Sequence, residues 1–309
     1  MARKLYKYMG ADIMNMAFSE PGKCSFKCSY PKDFNDPYEL FLTIDYEQDP
    51  HMLAFYHDTV GNIPQAATTC FSKSPAVIPM WAHYGHNHHG VVLEIDEEKV
   101  LHHLPEINFG DVDYQDEPHE QILEHLYRAH GTKKPRHTYF LRQAVVSGAY
   151  YTKRACWSYE QERRLVANSE YVNEVNGLLL LTVPDDCVTA VIIGHNATGA
   201  TIDSAKQLTD NLGSPFYQLK IGKCRADPFF FDKQGRTHIF HDEAIVPSRK
   251  SCEECREPVA KETKKCSWCA IEDQHRKYAA ENNPFRAIDN AGFLQEYFEG
   301  MRRIDRGDK

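Results

Sequence analysis

The stretch CWSYEQERRLVA, Cys156 to Ala167, sets Glu160 and Glu162 two residues apart with Arg163 and Arg164 directly behind them. Read as a strand, its period of two puts Glu160, Glu162 and Arg164 on one face, whereas a helix would turn the two carboxylates apart. Carboxylates sharing a face repel and stay ionised only beside cations or a bound ligand. Lys153, Arg154, Arg163 and Arg164 are the cations nearest in sequence. Three uses of such a pair follow. It can be catalytic. It can join Asp36 and Glu39 around a hard cation for metal-assisted hydrolysis. Or it can be a salt-bridged brace beneath Trp157, holding the strand to the preceding helix. FNDPYE, which carries Asp36 and Glu39, reads first as a turn, because Asn-Asp-Pro reverses the chain.

A second set is built from thiols. Cys252, Cys255, Cys266 and Cys269 have the spacing C-x2-C-x10-C-x2-C, in which two tight loops each offer two sulfurs to a tetrahedral ion. The pattern predicts structural zinc, since four cysteines leave no position for water or substrate. Lys261, Lys264 and Lys265 in the enclosed loop favour an acidic partner, but Glu253, Glu254, Glu257 and Glu262 dilute that charge. The partner is therefore an unknown protein or nucleic-acid target. His83, His86, His88 and His89 crowd MWAHYGHNHHG without forming HExxH, so packing by Trp81 and Tyr84 with turns at Gly85 and Gly90 is the simpler reading. IIGHNATGATID reads as an ordinary connection from strand to helix, lacking a phosphate-loop lysine.

The elements that must position these residues alternate without a regular repeat. Strands are predicted over Lys4–Tyr8, Ala67–Ser72, Gly90–Asp96, Asp111–Tyr114, Gly177–Val183, Val188–Gly194 and Phe216–Cys224, with a further one in RRLVA. Helices are predicted over His119–His130, His137–Lys153 and Thr201–Gly213. The pattern implies an α+β class: a mixed or split β-sheet domain with flanking helices over residues 1–245, then a zinc-ribbon-like module with a helical tail over residues 246–309. The chain has 309 residues, 42% hydrophobic and 26% charged, which suits a folded core. No apolar run is long enough to span a membrane and no secretory signal is visible, so a cytoplasmic protein without disulfides is expected. The net charge is −8; from Val246 on, 13 Lys and Arg face 12 Asp and Glu, so the preceding part is the acidic one. An acidic body argues against nucleic-acid binding over its whole surface but leaves room for a local basic groove.

Taken in order, LYKY, PKDFNDPYE, CFSKS, MWAHYGHNHHGVVLEID and WSYEQERRL resemble the bacterial family catalogued as domain of unknown function 2971, from about Leu5 to Cys224. That family supplies no activity, and the cysteine module lies outside the resemblance. The E-x-E at a strand start is also similar to the arrangement of ADP-ribosyltransferases, whose last glutamate holds a ribose hydroxyl of NAD and stabilises an oxocarbenium-like transition state. The similarity implies Glu162, Glu160 and Ser72 as catalytic residues, with Lys7, Tyr8, Trp81 and Tyr84 around NAD, in a toxin or defence factor. The alternatives are a non-enzymatic protein that recruits a partner through its zinc ribbon, and the metal-assisted hydrolase. Convergence of Lys7, Ser72 and Glu162 in one cleft distinguishes the first.

Overall fold

The computed structural model describes residues 3–36, 44–61, 63, 65–259 and 263–306. Two compact units emerge: Met1–Ile221 with Asp227–Pro247, and Gly222–Ala226 with Ser248–Lys309.

The strands in chain order are β1 (Lys4–Met9), β2 (Lys23–Cys28), β3 (Ala67–Ser72), β4 (Val91–Asp96), β5 (Asn108–Asp111), β6 (Asp113–Tyr114), β7 (Thr152–Lys153), β8 (Glu162–Ala167), β9 (Val172–Val175), β10 (Leu178–Pro184), β11 (Val188–Ile193), β12 (Phe216–Lys220), β13 (Phe229–Asp232), β14 (Thr237–His241) and β15 (Ala244–Pro247). Ten of them form one mixed sheet in the order β15-β14-β13-β12-β11-β4-β1-β3-β8-β5, while β2-β10-β9 and β6-β7 pair separately. The first unit is thus α+β with a large mixed sheet.

Helices α1 (Ala11–Ala17), α2 (Pro50–Val60), α3 (Ile78–His83), α4 (Glu97–His103), α5 (Glu120–Thr132), α6 (Pro135–Tyr151) and α7 (Gly199–Leu212) flank these strands. Strand β4, VVLEID, is buried at all six positions, as a central strand covered on both faces must be. Helix α7 links β11 to β12, the parallel pair in the large sheet, a crossover that needs a helix. Thr198 caps α7 by accepting from the Thr201 N–H at 3.3 Å, and Gly213, at φ 62°, ends it.

The sheet carries a different core on each face. Leu5, Met9, Phe71, Leu93, Leu165 and Val191 lie on one, and Tyr6, Tyr8, Trp81, Val92, Ile192 and Phe230 on the other. A third cluster, with Tyr56, Ile122, Leu126 and Leu141, is built by α2, α5 and α6.

Most strands stand where the pattern places them, and the differences have local causes. Strand β8 starts at Glu162 rather than before Glu160, because Ala155–Glu160 winds as a 3-10 turn that Gln161 closes at φ 47°. Strand β12 stops at Lys220 rather than Cys224, because Gly222–Ala226 belongs to the second unit. The strand predicted over Asp111–Tyr114 is divided between the end of β5 and β6, which belong to different sheets, and strands β2, β7, β9 and β13–β15 and helices α1–α4 add to the predicted elements. Among the described residues no helix is long and apolar enough to cross a membrane.

The second unit holds the cysteine turns and helices α8 (Asp273–Asn282), α9 (Pro284–Asn290) and α10 (Leu294–Asp305). None of these three helices buries a side chain.

Candidate functional site

Glu160 and Glu162 meet in a buried charge network. The Glu160 carboxylate accepts from Lys153 Nζ at 2.7 Å and from the Tyr84 hydroxyl at 2.6 Å. Glu162 accepts from Arg164 Nε at 2.9 Å and Nη2 at 3.1 Å, and Lys153 Nζ stands 3.4 Å away. Arg164 is 0% exposed and also donates to the Tyr150 carbonyl at 2.8 Å, so it ties β8 to the end of α6. Lys153 lies 4.8 Å from the Trp157 ring centroid, and the Glu162 N–H donates to the Tyr114 oxygen at 2.7 Å.

Arg163 leaves on the other face of β8, forked onto Glu97 at 2.6 and 2.7 Å, and Arg154 reaches Asp116 at 3.5 Å. Of the four cations nearest in sequence, Lys153 and Arg164 therefore serve the pair. Burial outweighs Lys153 and Tyr84 and holds the Glu160 carboxyl above the usual carboxylate range. At Glu162 burial pushes the same way, but Arg164 and Lys153 overcome it and bring the carboxyl to about 2. The two neighbouring carboxyls are thus shifted in opposite directions.

The other predicted site residues divide by sheet face. Ser72 stands opposite Glu162 across the β3–β8 ladder and opposite Tyr6 on β1, so all three share a face. Lys7 does not join them: it alternates with Tyr6, lies over Phe71 at 5.5 Å, and donates to Thr69 Oγ1 at 2.8 Å and to the Cys70 carbonyl at 2.9 Å. Lys7, Ser72 and Glu162 therefore do not line one cleft.

Tyr8 and Trp81 are core residues packed edge to face at 5.3 Å. Their polar tips are occupied, Tyr8 donating to the Ser74 carbonyl at 2.9 Å and Trp81 to the Pro75 carbonyl at 2.8 Å. Tyr84 is the one member of the predicted NAD-binding set that reaches the carboxylates.

Asp36 is buried, whereas Glu39 lies outside the described residues. No cluster of three metal-ligating side chains among the described residues includes Asp36, Glu160, Glu162 or the histidines at 83–89. Instead His86, Asn87 and His88 form a left-handed turn at φ 48°, 51° and 66°, held by His88 N–H to the Trp81 carbonyl at 3.0 Å. Gly90 follows where a Cβ would sit 2.3 Å from the Met9 carbonyl oxygen, which forbids a side chain.

In the second unit, the sulfurs of Cys252, Cys255, Cys266 and Cys269 all lie within 4.8 Å of one another. Cys255 and Cys266 are 3.7 Å apart, close to the roughly 3.8 Å that tetrahedral metal–sulfur bonds of about 2.3 Å impose. These four cysteines can hold a metal ion. Burial opposes ionisation of Cys252, yet the backbone N–H groups of Cys266, Cys255 and Glu254 carry its thiol down to about 6, the thiolate character a ligand needs.

The residue that the sequence reading missed here is Glu257, which is 2% exposed. Its carboxylate accepts from the backbone N–H of Lys223 at 3.0 Å, Cys224 at 2.9 Å and Arg225 at 3.0 Å. That clamp captures Gly222–Ala226, and it brings Cys224 within 4.8 Å of Cys266. The run of charges around the cysteines hid it, since nothing in composition separates Glu257 from the exposed Glu253 and Glu254.

Comparison with known proteins supplies one relation. The model of the family described as "Protein of unknown function (DUF2971)" matches residues 80–165. That segment holds Tyr84, Tyr114, Lys153, Glu160, Glu162 and Arg164, so the part of the chain similar to the family encodes the whole charge network. No curated protein and no solved structure matches the chain.

Proposed function

We infer that the protein is a binding protein whose four-cysteine unit holds structural zinc and recruits a macromolecular partner. The observation that carries this reading is the convergence of four sulfurs on one point, which leaves an ion no open position for water or substrate. The same unit keeps Trp268, Tyr278, Phe293 and Ile304 more than half exposed, and exposed apolar surface of this kind marks contact sites. The test uses the immobilised full chain with a cognate complex isolated under native conditions. Chelation and Cys252→Ser are expected to release the partner, and Glu160→Gln to retain it. A complex indifferent to chelation and to Cys252→Ser would sink the reading.

A second reading is favoured by the opposed proton affinities of Glu160 and Glu162, the way environments separate an acid from a charge-stabilising carboxylate. In that reading, which lacks the convergence of Lys7 with Ser72 and Glu162, the network would act on NAD through Glu160 and Glu162 alone, with Glu162 anionic beside the developing charge. Release of nicotinamide by the full chain, lost in Glu160→Gln and Glu162→Gln, is expected; a folded wild-type chain that leaves NAD intact and transfers no label to lysate overturns it.

A further inference from the structure

The acidic first unit contains one long stretch without acid. From His125 to Tyr159 the sequence holds seven Lys or Arg and not one Asp or Glu. Lys153 is consumed by Glu160 and Glu162, and Arg154 by Asp116. Arg128, Lys133, Lys134 and Arg136 stay in solvent and form no ion pair among the described residues. They surround the junction of α5 with α6, where Lys133 itself adopts φ 51°.

The junction borders a groove of about 730 Å³ between α2, α5 and α6, lined by His51, Phe55, His130, Lys133, Tyr139 and Arg142 among others, with no carboxylate in its wall among the described residues. The groove also offers ring faces. Phe55 and His130 meet edge to face at 5.5 Å, and Tyr139 is 59% exposed beside Phe140, which is 52% exposed. Nothing in the apolar core requires two neighbouring aromatic rings in water at this point. Loss of solvent at His137, followed by the charges of Arg136, Arg128 and Lys134, lowers its imidazole.

Unpaired cations beside exposed aromatic rings match a ligand that alternates phosphate with a flat π-face. We propose that this groove binds single-stranded nucleic acid, with Lys133 taking a phosphate, Arg142, which already donates to the Thr59 carbonyl at 3.1 Å, offering its remaining N–H groups to a second, and Tyr139 stacking a base. A free nucleotide would use only the groove. Arg128, Lys134 and Arg136 are exposed at the same junction but outside the groove's lining, charge that a strand can use and a single nucleotide does not. The acidic excess lies in residues 1–245, outside this acid-free stretch, so the stretch contrasts in charge with the unit that carries it.

The experiment is fluorescence anisotropy of the full chain against a labelled oligothymidylate of about twelve nucleotides, roughly one site length. Binding is expected at low salt, weakening as salt rises. Tyr139→Ala should weaken it roughly tenfold or more, the worth of one stacked base; because the ring is exposed, the fold is expected to survive. Lys133→Gln should reduce the salt slope by about 0.7, one phosphate contact. Three results would overturn the proposal. One is no binding at low salt. Another is a Tyr139→Ala chain that binds as well as wild type, which would leave only adsorption of charge. The third is displacement of the strand by ATP at comparable affinity, which would assign the groove to a free nucleotide.

Discussion

Glu160 and Glu162 show how strongly neighbours decide what a carboxylate is. Glu162 has Arg164 forked across it and Lys153 behind, so its charge is matched inside the protein. Replacing it by Gln leaves a buried guanidinium without its anion, and breaking such a pair costs about 3–5 kcal/mol. Glu162→Gln is therefore expected to lower stability at neutral pH by about 3 kcal/mol, read from urea unfolding followed by far-UV circular dichroism. The pH dependence carries the sign. The Glu162 carboxyl is depressed to about 2, so its contribution is complete above the ordinary carboxylate pKa and is lost as pH falls towards 2. Wild type should lose stability across that window, and Glu162→Gln should lose less. Glu160 is raised, so its contribution is complete below the ordinary carboxylate pKa and is lost as pH rises through its folded value. Glu160→Gln is expected to remove that loss, and to cost less than Glu162→Gln because Lys153 keeps Glu162 as a partner. If both variants follow the wild-type pH curve, the network does not carry the charges assigned to it.

At the scale of elements, Glu257 makes the sharpest prediction. Its carboxylate satisfies three consecutive backbone N–H groups from a segment more than thirty residues away. Glu257→Ala removes all three bonds, each worth about 1.5–3 kcal/mol as a hydrogen bond to a charged group, an upper figure here because Lys223, Cys224 and Arg225 are exposed and water can take up their N–H groups. Gly222→Ala attacks the same contact, since its Cβ would stand 2.2 Å from Glu257 Oε1. Both variants are expected to speed amide exchange at residues 223–225 while β4 and β11 stay protected; unchanged protection at 223–225 would mean that the clamp holds nothing.

This contact also marks where sequence reading stops. Ala67–Ser72, Val188–Ile193 and helices α5 and α6 were legible because apolar periodicity and β-branched runs are local signals. The hairpin of β13 and β14 was legible in principle: Phe229-Phe230-Phe231 precedes Gly235, whose φ of 73° turns the chain. The pairing of Glu160 with Glu162 was anticipated from strand alternation but is achieved differently, by Gln161 in the left-handed region followed by Lys153 reaching both. Which face Lys7 takes follows from its place in β1 relative to β3, and register between strands is a tertiary fact. The four cysteines were legible because their ligand spacing is itself local. Glu257 was not, because its role exists only once Gly222–Ala226 has crossed to it.

For the whole molecule, the two units rest on different foundations. The first has three apolar clusters and a ten-stranded sheet. Among the described residues the second buries Cys252, Cys266, Glu257 and Pro258, and its three helices bury nothing. So small a core cannot offset the entropy of ordering its chain, and an ion held by the four cysteines would supply the difference, as in other small metal-dependent folds. The native chain is accordingly expected to carry one zinc per molecule, measured by a chromogenic chelator after release with a thiol-blocking mercurial. Removing that ion, or replacing Cys266 by Ser, should abolish exchange protection over residues 250–270 and leave that of β1, β4 and β11 intact. Thermal melts should then lose one transition and retain another, because the sheet's stability draws on apolar burial rather than on thiolates. Loss of protection throughout the chain on chelation would show that the metal sustains the first unit as well. A metal-free chain with residues 250–270 still protected would show that the module folds without an ion, and the four sulfurs would then need another purpose.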